Sequence, residues 1–167
     1  HVAKERNADP KITYRVCGVE DYDYPVDSND CVISNLVLHY IADISVIFKK
    51  VYLALKANGV FLLGMEHPVF TAGMNQDWIY DSDGKPQYWP VDNYFHSGER
   101  VTHFLGQNVT KQHHTLSQIL MGLINARFRL EVVEEAIPSA DMIDIPGMSD
   151  EMRRPMMLLI KAVKQGV

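Results

Sequence analysis

Between Asp30 and Leu63 the hydrophobic positions change rhythm twice. Cys31-Val32-Ile33-Ser34-Asn35 is a short apolar burst and reads as a buried strand. After a turn through Leu38-His39-Tyr40, Ile44, Ile47, Val51 and Leu55 recur at helical spacing, with Asp43 placed to cap a helix that runs to Lys56. Lys49, Lys50 and Lys56 favour its C-terminal end through the helix dipole, and Gly59 can take the left-handed conformation that stops it. Val60-Phe61-Leu62-Leu63 is a second apolar burst. Strand, crossover helix and strand make a βαβ unit, so the two strands are expected to be parallel neighbours. Ligands in open α/β sheets sit beyond the carboxyl ends of the strands. That rule places Ser34, Asn35 and Leu36, and then Glu66, His67 and Pro68, at the mouth of one shared site.

The flanking pattern fills out an α/β domain spanning residues 1–167. The first residues read as the end of a helix that closes at Asn7-Ala8-Asp9-Pro10. Ile12 to Val16 alternates as a short strand, followed by the acidic loop Val19 to Pro25 and a polar turn, Asp27 to Asp30. Residues 68–114 are rich in aromatic and turn residues and predict an irregular, lid-like insertion with short antiparallel strands, such as Arg100 to Leu105. A loop-rich segment of that length inside a compact domain is usually functional. Thr115 then caps a helix through Ala126, Phe128 to Ala136 and Met156 to Val163 read as strands, and Ser149-Asp150-Glu151-Met152 suggests one capped helical turn.

Composition narrows the function classes. With 47% hydrophobic and 22% charged residues, the chain is an ordinary globular sequence. A net charge of −5 without a basic run disfavours a nucleic-acid partner. No apolar run approaches the roughly 20 residues of a membrane span. Cys17 and Cys31 lie in apolar surroundings without metal-ligand spacing, and no metal is expected; they read as buried free thiols of a cytoplasmic protein.

Two blocks resemble the class I S-adenosylmethionine-dependent methyltransferases. Val19-Glu20-Asp21 through Ser34-Asn35-Leu36-Val37-Leu38-His39-Tyr40 is similar to the family's adenine loop and fourth strand, and Leu55-Lys56-Ala57-Asn58-Gly59 to the lead into its fifth. Downstream, Glu66-His67-Pro68, Gln76-Asp77-Trp78, Trp89-Pro90-Val91-Asp92 and Arg154-Pro155-Met156 resemble a bacterial branch acting on small molecules. The resemblance implies a Rossmann-like sheet ordered three, two, one, four, five, seven, six, with the insertion after the fifth strand. It also implies S-adenosylmethionine as cofactor, adenine contacts from Val19 and Glu20, and Ser34, Asn35 and Leu36 facing the donor's methionine part. These residues hold neither the family's glycine-rich loop nor the acidic residue ending its second strand, and Gly18 stands where an acid is common. The chain is therefore expected to be the C-terminal part of a methyltransferase, N-terminally truncated, binding S-adenosylmethionine weakly or not at all by itself. A non-catalytic binding module that kept the half-sheet is the alternative. With strands one and two lacking, the edge of strand 31–35 is a candidate surface for a homodimer.

Methyl transfer from a sulfonium is an in-line displacement for which positioning can supply about 7–11 kcal/mol. A base matters only where the acceptor, here a small molecule, is a protonated hydroxyl or amine. The candidate catalytic residues are His39, Glu66 and His67, with Glu66 orienting His67. Trp78, Tyr80 and His113 are candidate substrate contacts, although His113 and His114 also read as surface residues ahead of a helix cap.

Overall fold

The protein is described by a computed structural model covering residues 2–73 and 75–166. Helix α1 (Val2–Arg6) is followed by a segment that joins no strand, so the strand expected at Ile12–Val16 does not form. Ile12 and Val16 are exposed there, and no ladder offers their backbone groups partners.

Strand β1 (Asn29–Asn35), helix α2 (Ile44–Ala54) and strand β2 (Leu55–Glu66) form the expected βαβ unit. The strands are parallel neighbours, with Cys31 opposite Val60 and Asn35 opposite Gly64. Asp43 Oδ1 caps α2 by accepting the N–H groups of Ser45 and Val46. The helix ends at Ala54 rather than Lys56, because Leu55 is already extended and fully buried. The left-handed residue is Asn58, at φ 62°, not Gly59. Gly59 is needed for a different reason: a Cβ there would meet the Lys56 carbonyl oxygen at 2.8 Å.

The insertion after β2 contains helix α3 (Pro68–Ala72), a hairpin of β3 (Ile79–Tyr80) and β4 (Pro86–Tyr88), and a second hairpin of β5 (Gly98–Phe104) and β6 (Gln107–His113). Helix α4 (Leu116–Asn125), strand β7 (Phe128–Ala136), helix α5 (Met148–Glu151) and strand β8 (Met157–Lys164) complete the chain. The sheet runs β1-β2-β8-β7, with β8 antiparallel to both neighbours. That is the order expected for family strands four, five, seven and six.

Helices α2 and α4 cover one face of this sheet. Phe48, Ile119 and Leu123 pack there against Phe61, Leu63, Leu158 and Ile160. On the opposite face Ile33 is 70% exposed, and Leu62 and Leu159 are 37% and 40% exposed. Two smaller expectations fail. Cys17 and Cys31 are both exposed, because Cys17 lies outside any strand and Cys31 sits on the sheet's edge strand. Gly147, at φ 89° and without a side-chain cap, precedes α5, so Ser149 is inside that helix rather than capping it.

Thr115 makes a full capping box: its hydroxyl accepts the Gln118 N–H and the Gln118 side chain accepts the Thr115 N–H. Thr115→Ala is expected to cost about 1 kcal/mol of stability, read as a lowered midpoint in urea denaturation. An unchanged midpoint would show the cap to be dispensable.

Candidate active site

Three chain segments converge at the carboxyl ends of β1 and β2. After β1 the chain turns sharply at Leu36, whose φ of 56° is left-handed and whose N–H donates to the Gly64 carbonyl at 2.8 Å. A short 3₁₀ turn, Leu38–Tyr40, then drops His39 into the interior, where it is 2% exposed. From the end of β2 come Glu66 and His67, both buried, and from β6 come Lys111 and His113, also buried. The surface reading of His113 and His114 therefore fails: they are 0% and 8% exposed.

The hydrogen bonds fix what each group can do. The Glu66 backbone N–H donates to His39 Nδ1 at 3.2 Å, so in the neutral ring the proton is on Nε2. His67 Nδ1 accepts the Val69 N–H at 3.1 Å, which caps α3, and its Nε2 lies 2.8 Å from Glu135 Oε1. Glu66 does not orient His67. One of its oxygens, Oε1, takes the Lys111 ammonium at 2.6 Å instead, and Gln76 Oε1 accepts from the same ammonium at 3.0 Å. His113 donates from Nε2 to the Tyr94 carbonyl at 2.8 Å, leaving Nδ1 to accept the Thr71 hydroxyl at 2.7 Å. Both ring nitrogens of His113 are engaged, and neither His39 nor His67 keeps a free lone pair, since each Nδ1 accepts a backbone N–H; His67 Nε2 approaches Glu135 without hydrogen-bond alignment.

Burial sets the charge of these rings. It pushes His39 down to about 4, with the Lys111 ammonium adding to the shift. Burial likewise lowers His67, His113 and His114, against opposing help from Glu135 for His67 and from backbone carbonyls for the other two. Each ring binds its proton more tightly in the unfolded chain, near pH 6.5, than in the folded one. Stability is therefore full above about pH 6.5 and is lost as pH falls towards 4. Each histidine contributes at most about 1.4 kcal/mol per pH unit in that window. Urea midpoints measured between pH 7.5 and 4.5 should fall, and His39→Gln should flatten the fall. A profile unaffected by that substitution would contradict the burial of a neutral His39.

The β5–β6 hairpin is inverted relative to a simple amphipathic reading. Arg100, Thr102, Lys111 and His113 face inward, while Val101 and Phe104 are exposed. Arg100 sits directly opposite Lys111, so two like charges need separate compensation. Lys111 has Glu66. The Arg100 guanidinium donates to the carbonyls of Ala72, Glu99, Asn93 and His96 at 2.6–3.3 Å.

The candidate donor contacts divide between two cavities. Val19 and Glu20 line one of about 640 Å³, together with Tyr22, Tyr24, Val37 and Ile41. Ser34 and Asn35 line another of about 430 Å³ on the sheet, whose lining does not include His67. Gly64 makes room for Asn35, since a Cβ there would meet Asn35 Oδ1 at 3.2 Å. Of the candidate substrate contacts, Trp78 lines a separate cavity of about 300 Å³. Its ring lies within 4.5 Å of the Arg153 guanidinium and 5.4 Å of that of Arg154, and meets Trp89 edge to face. Tyr80 is 49% exposed and donates its hydroxyl to Asp77. Neither touches the Glu66 cluster through any of these contacts. Lys111, Gln76 and Thr71 went unmarked as site residues in the sequence. The one available signal was that Lys111 and His113, two apart on a strand, share a face.

Residues 1–63 match a family described as a methyltransferase domain. A crystal structure from Listeria monocytogenes, described as an S-adenosylmethionine-dependent methyltransferase, is 44% identical at TM-score 0.93, covering 98% of this chain and 74% of that one. The chain belongs to the class I S-adenosylmethionine-dependent methyltransferases. A second such methyltransferase structure, from Mesorhizobium loti, is 36% identical at TM-score 0.85 and covers 97% of this chain and 75% of the other. An uncharacterized Haemophilus influenzae protein is 28% identical over 145 residues, 84% of this chain. This chain spans 56% of that relative's length. Among the described residues of this methyltransferase chain, no helix is long and apolar enough to cross a membrane.

Proposed function

We propose that this chain is the C-terminal part of a longer cytoplasmic methyltransferase and forms the acceptor side of its site, methylating a small molecule. The observation that carries this reading is the convergence of Leu36, His39, Glu66 and Lys111 at the ends of two parallel strands, where α/β sheets bind ligands. S-adenosylmethionine, when bound, supplies an activated methyl group. The adenine half fits the cavity beside Val19 and Glu20, whose apolar and aromatic walls suit a flat ring. Asn35 and the turn at Leu36 serve the donor's other half, and Ser34, whose buried Oγ has no partner, lies next to them.

On the acceptor side the base is Glu66, because the histidines have spent their lone pairs. His39 and His67 hold Glu66 and the start of α3 in place, and His113 anchors the insertion. Trp78 and Tyr80 wall the outer approach. Positioning, rather than proton transfer, supplies most of the rate.

The test is calorimetry with S-adenosylhomocysteine on the product of the complete reading frame, followed by labelled methyl transfer to a small-molecule extract. Binding and a labelled small molecule are expected. Absence of binding would leave the non-catalytic module as the better description. The 167-residue chain alone should bind weakly, since each charge-assisted hydrogen bond it fails to make forfeits about 1.5–3 kcal/mol; low-micromolar binding to it would overturn that. Strand β1 has one neighbour among the described residues, and we propose that its outer edge pairs with a second copy in the isolated chain. Light scattering that shows a stable monomer at high micromolar concentration would refute this.

A further inference from the structure

The Glu66–Lys111–Gln76 cluster has one polar atom too many on each flank. Glu66 Oε2 and Gln76 Nε2 are both shut off from solvent, and neither has a hydrogen-bond partner. Each is the second atom of a group whose first atom touches the same ammonium, at 2.6 and 3.0 Å, so the two groups flank one cation. A buried carboxylate oxygen and a buried amide N–H₂ left unpaired cost free energy that a folded protein rarely concedes without use. One is an acceptor and the other a donor.

We infer that this cluster is the acceptor subsite of the proposed methyltransferase and that it takes the hydroxyl of a neutral, aromatic small molecule. This inference rests on the methyltransferase reading for its role in catalysis, but not for its chemistry of recognition. A hydroxyl both donates and accepts, so one such group hydrogen-bonds Glu66 Oε2 through its proton and receives the Gln76 N–H through its oxygen. A carboxylate would face Glu66 as a like charge, and an ammonium would be the second cation beside Lys111. An ether could not satisfy Glu66. The aromatic preference comes from the rings around the cluster: the ammonium lies 5.8 Å from the Phe70 ring centroid and 5.2 Å from that of Phe104, and the Tyr40 ring lies tilted beside His39 with centroids 4.4 Å apart. Lys111 keeps the pair neutral overall while leaving the second carboxylate oxygen to the ligand.

The experiment uses phenol and anisole as probes on the isotopically labelled product of the complete reading frame, with amide shifts read by NMR. Phenol should move the resonances of Glu66, Gln76 and His39 saturably, and anisole should bind at least tenfold more weakly. Equal responses to the two probes, or none to either, would overturn the inference. The variant Glu66→Leu/Lys111→Met keeps the volume, so it should remain folded and lose the phenol response by at least tenfold. A folded double variant that still distinguishes phenol from anisole would also overturn it. Titration with S-adenosylhomocysteine on the same sample separates the two readings. Phenol discrimination without a response to S-adenosylhomocysteine would sustain the subsite and remove the methyltransferase role. A response to S-adenosylhomocysteine without phenol discrimination would do the reverse.

Discussion

Lys111→Met alone is expected to lower stability by about 3–5 kcal/mol, and adding Glu66→Leu to recover most of that loss. The single substitution strands the Glu66 carboxylate in an interior where it is 7% exposed, with Oε2 already unpaired. The double substitution removes both charges together with the desolvation that each one costs. Urea denaturation of the two single variants and the double completes the cycle, and a coupling of several kcal/mol should emerge. A Lys111→Met variant within about 1 kcal/mol of the parent would mean that water reaches the carboxylate.

The second large effect is at Arg100. Its guanidinium is 5% exposed and faces no carboxylate in its hydrogen bonds, only four backbone carbonyls. Those carbonyls belong to the end of α3, to the segment before β5 and to β5 itself, so one side chain ties the insertion's irregular pieces together. Arg100→Met should cost about 3–5 kcal/mol, because charge-assisted bonds are worth roughly 1.5–3 kcal/mol each and the carbonyls would be left unsatisfied. Arg100→Lys should recover little, since an ammonium cannot reproduce the fork. Near-equal stability of the Met and parent proteins would show those carbonyls to be hydrated.

Much of the sheet was legible because its signals are local. The apolar bursts at 31–35 and 60–63, the caps at Asp43 and Thr115, and the strands at 128–136 and 157–164 all appear where period and capping place them. Ile12–Val16 has the same alternation but no neighbour to pair with, and alternation cannot report on a neighbour. In the candidate site, residues at strand ends could be picked out from the sequence but their partners could not. Glu66 was marked by where a strand ends and His39 by the family-like turn that holds it, yet the partner that decides the role of Glu66 is Lys111, 45 residues away. The inward polar face of the β5–β6 hairpin hid it, because Arg100, Thr102, Lys111 and His113 read as a solvent-facing row while apolar Val101 lies on the opposite face. Only the tertiary contact with β2 reverses that assignment.

Tyr94 links the insertion to the sheet-covering helix. Its carbonyl takes His113, its hydroxyl accepts the Leu116 N–H in the first turn of α4 at 3.0 Å, and Ser97 donates to Gln118 at 2.7 Å. The start of α4 and the region around Tyr94 are therefore expected to open together as one cooperative unit in native-state hydrogen exchange. The amide of Leu116, although it belongs to a helix of the core, becomes a clock for the breathing of the insertion, and a ligand that orders the insertion slows that amide's exchange without touching α4.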